Sequence, residues 1–206
     1  MRSTSVAGAM LALLCSAGSA DAQKRLFSTA FGVTFPAGET ADFTPDASWA
    51  SFTLEARQLV DPRLSVGIAW SFTELSDEVD EILDFRQLEF PDFENVSGNL
   101  SGNQFRTINS MPLLLTAFYH PIPQPNTFAP YIGAGAGVTF SERRLNIGLA
   151  EFDDDAWAVT FAPQVGVLWW TSEWVAFGMD GRLTYSLGDD FDVAYWGINL
   201  GVAWRL

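Results

Sequence analysis

The sequence predicts an all-β fold, an eight-stranded antiparallel up-and-down transmembrane β-barrel, on three observations. Bulky apolar residues alternate with small or polar residues in eight segments, each about as long as a tilted membrane strand of roughly 9 to 11 residues. The second face of most segments carries Gly, Ala, Ser and Thr, where the outer face of a soluble sandwich would be richly charged. Beyond Gln23 no run of about 18 apolar residues occurs, which excludes a spanning helix.

The amino terminus has the features of a secretory signal peptide. We expect residues 1–22 to be this signal and residues 23–206 to form one barrel domain, because Arg2 and an apolar stretch precede Ala20-Asp21-Ala22, a small-x-small cleavage site. The only cysteine, Cys15, lies within the signal, which excludes disulfides and cysteine nucleophiles from the mature chain. Lipidation of Cys15 is the weaker alternative, since a leucine precedes it where a small residue is required.

Composition narrows the function classes. Aromatic residues make up 14% of the 206 residues, which argues against a disordered chain. The formal charge of −14 argues against a nucleic-acid partner. No cofactor is expected.

Predicted strands one to three are Arg25 to Phe35, Trp49 to Leu59 and Leu64 to Thr73. Each sets a bulky apolar face against a small or polar one, and in the third the alternation is unbroken. The run Val60-Asp61-Pro62-Arg63 is a tight-turn signal between the second and third strands.

Predicted strands four and five differ in regularity. The fourth, Arg106 to Tyr119, contains an almost continuous apolar run from Met111 to Leu115 interrupted by Pro112, so its register is left open. A proline-rich connection, His120 to Ala129, leads to the fifth strand, Tyr131 to Phe140, in which apolar residues alternate with glycines.

Predicted strands six to eight are Trp157 to Trp169, Val175 to Leu187 and Trp196 to Leu206. Pro163 lies inside the sixth and cannot donate to a ladder, which predicts a bulge or local break there.

The connections predict two different ends. Those after strands one, three, five and seven hold 20 of the 25 acidic residues and span 36–48, 74–105, 141–156 and 188–194. The tryptophans divide equally, as two interfacial girdles predict. At the acidic end fall Trp49, Trp70, Trp157 and Trp196, and at the other end Trp169, Trp170, Trp174 and Trp204.

Two segments carry a family resemblance. The run PYIGAGAG, Pro130 to Gly137, resembles a strand opening of the small eight-stranded outer-membrane barrels of the OmpA/OmpX type, to which OmpW-like barrels are related. The end NLGVAWRL is similar to the assembly signal of such barrels. The resemblance implies a bacterial outer-membrane location and recognition of Asn199, Gly201, Trp204 and Leu206 by the insertion machinery. Leu206 departs from the usual terminal Phe, which puts insertion efficiency in question.

Five ionic side chains fall on the polar faces of strands two, seven and eight. Charges in a narrow lumen must pair or incur a large desolvation cost, so a salt-bridge network is expected to plug the bore. The alternative is a gate whose ion pairs rearrange to pass ions. The network residues are Glu55, Arg57, Asp180, Arg182 and Arg205.

The acidic end offers two further hypotheses. The connection 74–105 mixes acids with apolar residues, which favours contact with an extracellular partner. The alternative is that the strands extend beyond the bilayer and this loop folds over the barrel mouth as a lid. Two groups of carboxylates could form a calcium site, namely residues 153–155 and the set Asp189, Asp190 and Asp192. The alternative is that these carboxylates are solvated and bind no ion. An acidic rim also attracts divalent cations that bridge lipopolysaccharide phosphates.

Catalysis finds little support in the sequence. The only histidine, His120, falls at the short-turn end, so no Ser-His arrangement is expected at the outer rim, and no catalytic residue is assigned. The predicted function is a structural or surface-interaction role among outer-membrane lipid and lipopolysaccharide. The alternative is a narrow OmpW-like pore for small solutes.

Overall fold

The computed structural model describes residues 25–84, 99–147, 150–188 and 191–206. Eight strands pair with their sequence neighbours in antiparallel fashion, and the eighth pairs with the first, which closes the barrel. The strands are β1 (Arg25–Ala37), β2 (Ser48–Asp61), β3 (Leu64–Asp84), β4 (Asn99–Tyr119), β5 (Phe128–Ile147), β6 (Ala150–Trp170), β7 (Val175–Gly188) and β8 (Val193–Arg205). The predicted fold class is therefore confirmed, while the predicted signal peptide lies outside the described residues.

The strands fall into two length classes. β1, β2, β7 and β8 have 13 or 14 residues, whereas the four consecutive strands β3 to β6 have 20 or 21. Large parts of the connections predicted at 74–105 and 141–156 are thus strand rather than loop. We call the end with the short turns and both strand termini the turn end, and the opposite end the loop end.

The predicted faces are those observed in most strands. In β7 the side chain of Phe177 is exposed while Thr184 is buried, and in β3 Val66 is exposed while Ser65 is buried. Many large apolar side chains of the outer surface stay exposed, including Phe31, Leu115, Val159 and Leu200. A contiguous apolar belt of this kind fits contact with hydrocarbon.

Strand β4 corrects the expectation that bulky residues all point outward. Phe118 and Leu114 are buried inside the barrel. Both face the glycines of β5, with Phe118 opposite Gly133 and Leu114 opposite Gly137. A Cβ atom on Gly133 would overlap the Ala117 carbonyl oxygen and lie 2.6 Å from Phe118 Cδ1. The glycine row thus makes room for large side chains in the bore.

Pro112 in β4 and Pro163 in β6 each coincide with a break in one ladder. Pairing between β6 and β7 skips from Phe161 to Gln164 without a change of register, which confirms the local break predicted at Pro163. Pairing between β3 and β4 skips opposite Pro112 in the same way.

A short helix, α1 (Glu39–Phe43), lies in the connection between β1 and β2 at the loop end. No helix among the described residues is long and apolar enough to cross a membrane.

Candidate functional site: a closed bore and an acidic wall

The middle of the bore contains a buried ion pair. Arg57 Nη2 donates to Glu55 Oε2 over 2.5 Å, and both side chains are almost inaccessible to solvent. Thr116 Oγ1 donates to the second carboxylate oxygen of Glu55 over 2.9 Å. The alternation of β2 aims both charges inward, where a carboxylate and a guanidinium require each other as partners.

Aromatic rings enclose this arginine from the turn end. The Arg57 guanidinium lies 3.8 Å from the centroid of Phe118 and 4.5 Å from that of Tyr131. These two rings belong to a buried cluster that we call the turn-end plug, formed by Leu26, Phe118, Ala129, Tyr131, Leu168, Trp170, Ala176 and Ala203. Sequence reasoning missed these rings, although the glycines opposite β4 were a signal for them.

Asp180 and Arg182 of β7 reach the same chamber but bind amides. Asp180 Oδ1 accepts from Asn199 Nδ2 over 2.9 Å, and Arg182 Nε donates to Gln164 Oε1 over 3.2 Å. Two small cavities remain beside them, of about 30 and 10 Å³. Volumes of this size hold one or two water molecules and no larger solute.

Arg205 lies apart from the other four predicted network residues. Its guanidinium stacks on Trp170 at 4.0 Å from the ring centroid, at the turn end. Arg205 ends β8, so it lies against the turn-end plug rather than beside the central ion pair. Trp170 itself is buried rather than part of an outward girdle.

A second cluster closes the loop end, and we call it the loop-end plug. It comprises the buried Leu75, Ile108, Val193 and Tyr195, with Phe43 and Phe191 packed against them. The position of Phe43 depends on the connection that carries it. The Thr40 hydroxyl accepts a hydrogen bond from Ala194 N–H over 2.8 Å, which holds α1 against β8. Arg143 lies 5.4 Å from the Phe43 ring and 4.8 Å from the Phe191 ring.

The long halves of β3 to β6 project beyond the rest of the loop end, and we call them the wall. About seven extra residues per strand correspond to roughly 20 Å of additional sheet. Pairing between β2 and β3 ends at Ser51 and Thr73, and pairing between β6 and β7 ends at Ala158 and Gly188. Above these pairs, within the described residues, the wall has two edges that neither β2 nor β7 covers.

The outer face of the wall carries an ionic ladder with an acidic excess. Arg144 binds Glu142 over 2.7 Å and Asp153 over 2.8 Å, and Asp155 is exposed next to them. Asp154 points to the inner face, where it meets Arg143 over 3.4 Å. The carboxylates of residues 153–155 therefore do not converge on one ion. The calcium hypothesis for Asp189 and Asp190 falls outside the described residues.

The histidine does form a hydrogen bond with a serine, at the turn end. His120 Nε2 lies 3.0 Å from Ser65 Oγ, and both side chains are buried. Burial and the nearby charge of Arg57 lower the pKa of His120 below its ordinary value. Neither side chain is accessible to a substrate, so the pair fits a structural contact better than a nucleophile and its base.

The predicted assembly residues have ordinary roles in the folded barrel. Asn199 binds Asp180 inside the bore, and Trp204 stacks on Phe27 outside with ring centroids 6.1 Å apart. A Cβ on Gly201 would overlap the Thr29 carbonyl oxygen, so β1 and β8 need glycine at this position. The Leu206 N–H donates to the Arg25 carbonyl oxygen over 2.9 Å.

Comparison with known proteins identifies the architecture. No family model matches the chain, and no characterised relative matches it in sequence. Neisserial surface protein A is similar in structure, with a TM-score of 0.55, 11% identity and coverage of 88% of this chain and 96% of that one. The outer membrane protein OprG from Pseudomonas aeruginosa has a TM-score of 0.51 and 15% identity, with coverage of 89% of this chain and 96% of that one. The Escherichia coli outer membrane protease OmpT has a TM-score of 0.50 and 8% identity, with coverage of 93% of this chain and 99% of that one. The chain therefore has the antiparallel β-barrel fold of these outer-membrane proteins.

Proposed function

We propose that this protein is an integral bacterial outer-membrane barrel with a closed bore, whose wall binds a partner at the cell surface. Both termini are then periplasmic, and the exposed apolar belt contacts lipid and the acyl chains of lipopolysaccharide. The carboxyl-terminal residues resemble an assembly signal, and the outer-membrane insertion machinery recognises them and inserts the protein. The role is structural and adhesive rather than catalytic.

The observation that carries the surface role is the unequal strand length. A barrel that only spanned the bilayer would need strands of about 9 to 11 residues. Four consecutive strands of 20 or 21 residues build a sheet beyond any membrane interface. An uncovered sheet edge presents unpaired backbone donors and acceptors to an added strand.

Charge indicates which strand would be added. The described outward residues of the wall include Glu74, Glu142, Asp153 and Asp155, and Arg144 is their counter-charge. A basic extended segment complements this surface, whereas an acidic one is repelled. The connection predicted as a partner contact at 74–105 belongs to this wall, although its residues 85–98 lie outside the described ones.

The test uses the folded protein in nanodiscs and a peptide of alternating lysine and valine. We expect saturable calorimetric binding and slowed amide exchange along β6 from Asp153 to Trp157. The matched probe carries N-methyl groups on one backbone edge and keeps the charge. Equal binding of the methylated peptide would show that strand addition at the wall is wrong. The double variant Asp153→Asn with Asp155→Asn should weaken binding, whereas the control Asp61→Asn at the turn end should not. If both variants bind the peptide as the native protein does, the proposal is also wrong.

The closed bore has its own test against the narrow-pore alternative. Both plugs and the Glu55–Arg57 pair support closure, since the two cavities described beside this pair are water-sized. Planar-bilayer recording of the folded protein should show no stable single-channel steps. Reproducible steps that disappear in Arg57→Ala or Arg182→Ala would establish the gate instead.

A further inference from the structure

An open cavity lies at the turn end, at the opposite end of the barrel from the wall. Its volume is about 360 Å³, which suits a small organic ligand. It is lined by Asn126 and Thr127 of the β4–β5 connection, by Trp170, Ser172 and Glu173 at the β6–β7 turn, and by Arg205 of β8.

The floor of this cavity is held in place by backbone hydrogen bonds. Trp170 N–H donates to the Thr127 carbonyl oxygen over 2.8 Å, which ties the two connections together. Ser172 Oγ accepts from the N–H groups of Trp174 and Val175 over 3.3 and 3.0 Å, which fixes the turn that carries Glu173. The cavity is therefore formed before any ligand arrives.

Arg205 presents a guanidinium prepared for a carboxylate. The guanidinium lies over the Trp170 ring, 4.0 Å from the ring centroid, and a cation held over an aromatic face keeps its N–H groups as donors. Among the described residues, no side-chain or backbone acceptor binds these N–H groups. Planar arginine edges bind carboxylates through two parallel hydrogen bonds.

Glu173 supplies the opposite charge in the same cavity. Its carboxylate acts electrostatically on Arg205, yet no ion pair joins the two within the described part of the chain. Asn126 Oδ1 is occupied by Phe128 N–H over 3.2 Å, so its amide nitrogen is left to donate. Separate positive and negative groups in one cavity favour a ligand that carries both charges.

We propose that this cavity, which we call the turn-end pocket, binds a small zwitterion such as an amino acid or short peptide. The ligand's carboxylate binds the N–H edge of Arg205, and its ammonium group lies against Glu173. The site is independent of the wall, because it lies at the periplasmic end.

The experiment titrates the folded chain in nanodiscs with alanyl-alanine and follows the Arg205 Nε–H and Trp170 Nε1–H resonances. We expect saturable shifts with the zwitterion, and binding about tenfold weaker or more for its carboxyl-terminal amide, which loses the charged hydrogen bonds to arginine. The N-acetyl derivative, which lacks the ammonium group, should bind more weakly than the zwitterion in the native protein. Glu173→Gln should remove that difference.

Arg205→Gln should abolish the shifts, whereas Arg63→Gln, a matched change at the neighbouring β2–β3 turn, should leave them intact. Retained heat-dependent gel mobility shows that each variant is folded. Absence of saturation in the native protein would mean that Arg205 and Glu173 simply close on each other, and the proposal would be wrong. Equal affinity for all three peptides would overturn it as well. These two contradicting results are measured on the native protein, so the test does not depend on the folding of any variant.

Discussion

The two plugs close the same bore with different parts of the chain. In the turn-end plug every buried member lies on a strand, and its rings meet through the register of the sheet. In the loop-end plug, Phe43 ends the helix of one connection and Phe191 lies in another. The first closure is thus part of the barrel itself, whereas the second depends on connections that can change without altering the sheet.

The charges follow the same division. Arg57 is enclosed by strand residues and pairs with Glu55, two positions away on the same strand. Arg106 at the loop end binds the Phe43 carbonyl oxygen over 3.4 Å and lies 5.7 Å from its ring. Removing a residue should therefore cost more stability at the turn end than at the loop end.

The largest effect is expected for Glu55→Ala. This change leaves Arg57 buried without a counter-charge, which should lower the free energy of unfolding by about 3 to 5 kcal/mol. Urea titration in lipid vesicles measures it. The double variant Glu55→Gln with Arg57→Met should recover most of the loss, because no charge is then left unpaired. A single variant as stable as the native protein would show that water reaches the pair.

Phe118→Ala should come next. The side chain is fully buried and packs on Tyr131 with ring centroids 5.2 Å apart. Its removal opens a cavity in the turn-end plug and should cost about 3 kcal/mol in the same titration. Leu115→Ala on the same strand is the control, because Leu115 points outward and is 69% exposed. Equal losses in the two variants would contradict the inward orientation of Phe118.

Phe43→Ala should cost about 1 kcal/mol, since its ring is only partly buried and its helix belongs to a connection. The effect should be local: amide exchange should rise in residues 39–44 and at Ala194, while the turn-end plug keeps its protection. Thr40→Val removes the hydroxyl that accepts from Ala194 N–H and should give the same pattern. Exchange that rises equally at both ends would mean that the plugs form one cooperative unit.

The plugs also mark how far the sequence could be read. Alternation predicted the closed eight-stranded barrel and the inward direction of Glu55, Arg57 and Asp180, because a period of two determines the face of every residue in a regular strand. It failed for β4, where nearly continuous apolar residues carry no period and only the glycines of β5 reveal which side is inside. The contacts of Phe43 and Phe191 were beyond sequence reasoning, because connections have no such period.

Strand extension was one of the two alternatives for 74–105, but it was missed at 141–156 for a related reason. The acids of the wall lie where a loop would be expected, yet cross-strand pairs such as Arg144 with Asp153 and Arg143 with Asp154 support sheet. Acidic composition at those positions indicated solvent exposure, which both loop and projecting sheet satisfy. Parity directed Arg205 inward, but its position at the end of β8 places it on Trp170, away from the other four predicted network residues.

The smallest expected effect distinguishes the two closures by pH. Burial and the positive charge of Arg57 lower the pKa of His120 in the folded state. The unfolded chain therefore binds a proton first as the pH falls below the ordinary histidine value of about 6.5, and stability contributed by neutral His120 is lost on acidification. The chain has one histidine, so this loss should arise at the turn end alone. Urea titrations at about pH 7.5 and about pH 5.5 should give a smaller difference in His120→Gln than in the native protein. The same difference in both proteins would assign the pH dependence to carboxylates, and with them to the acidic loop end rather than to the turn-end plug.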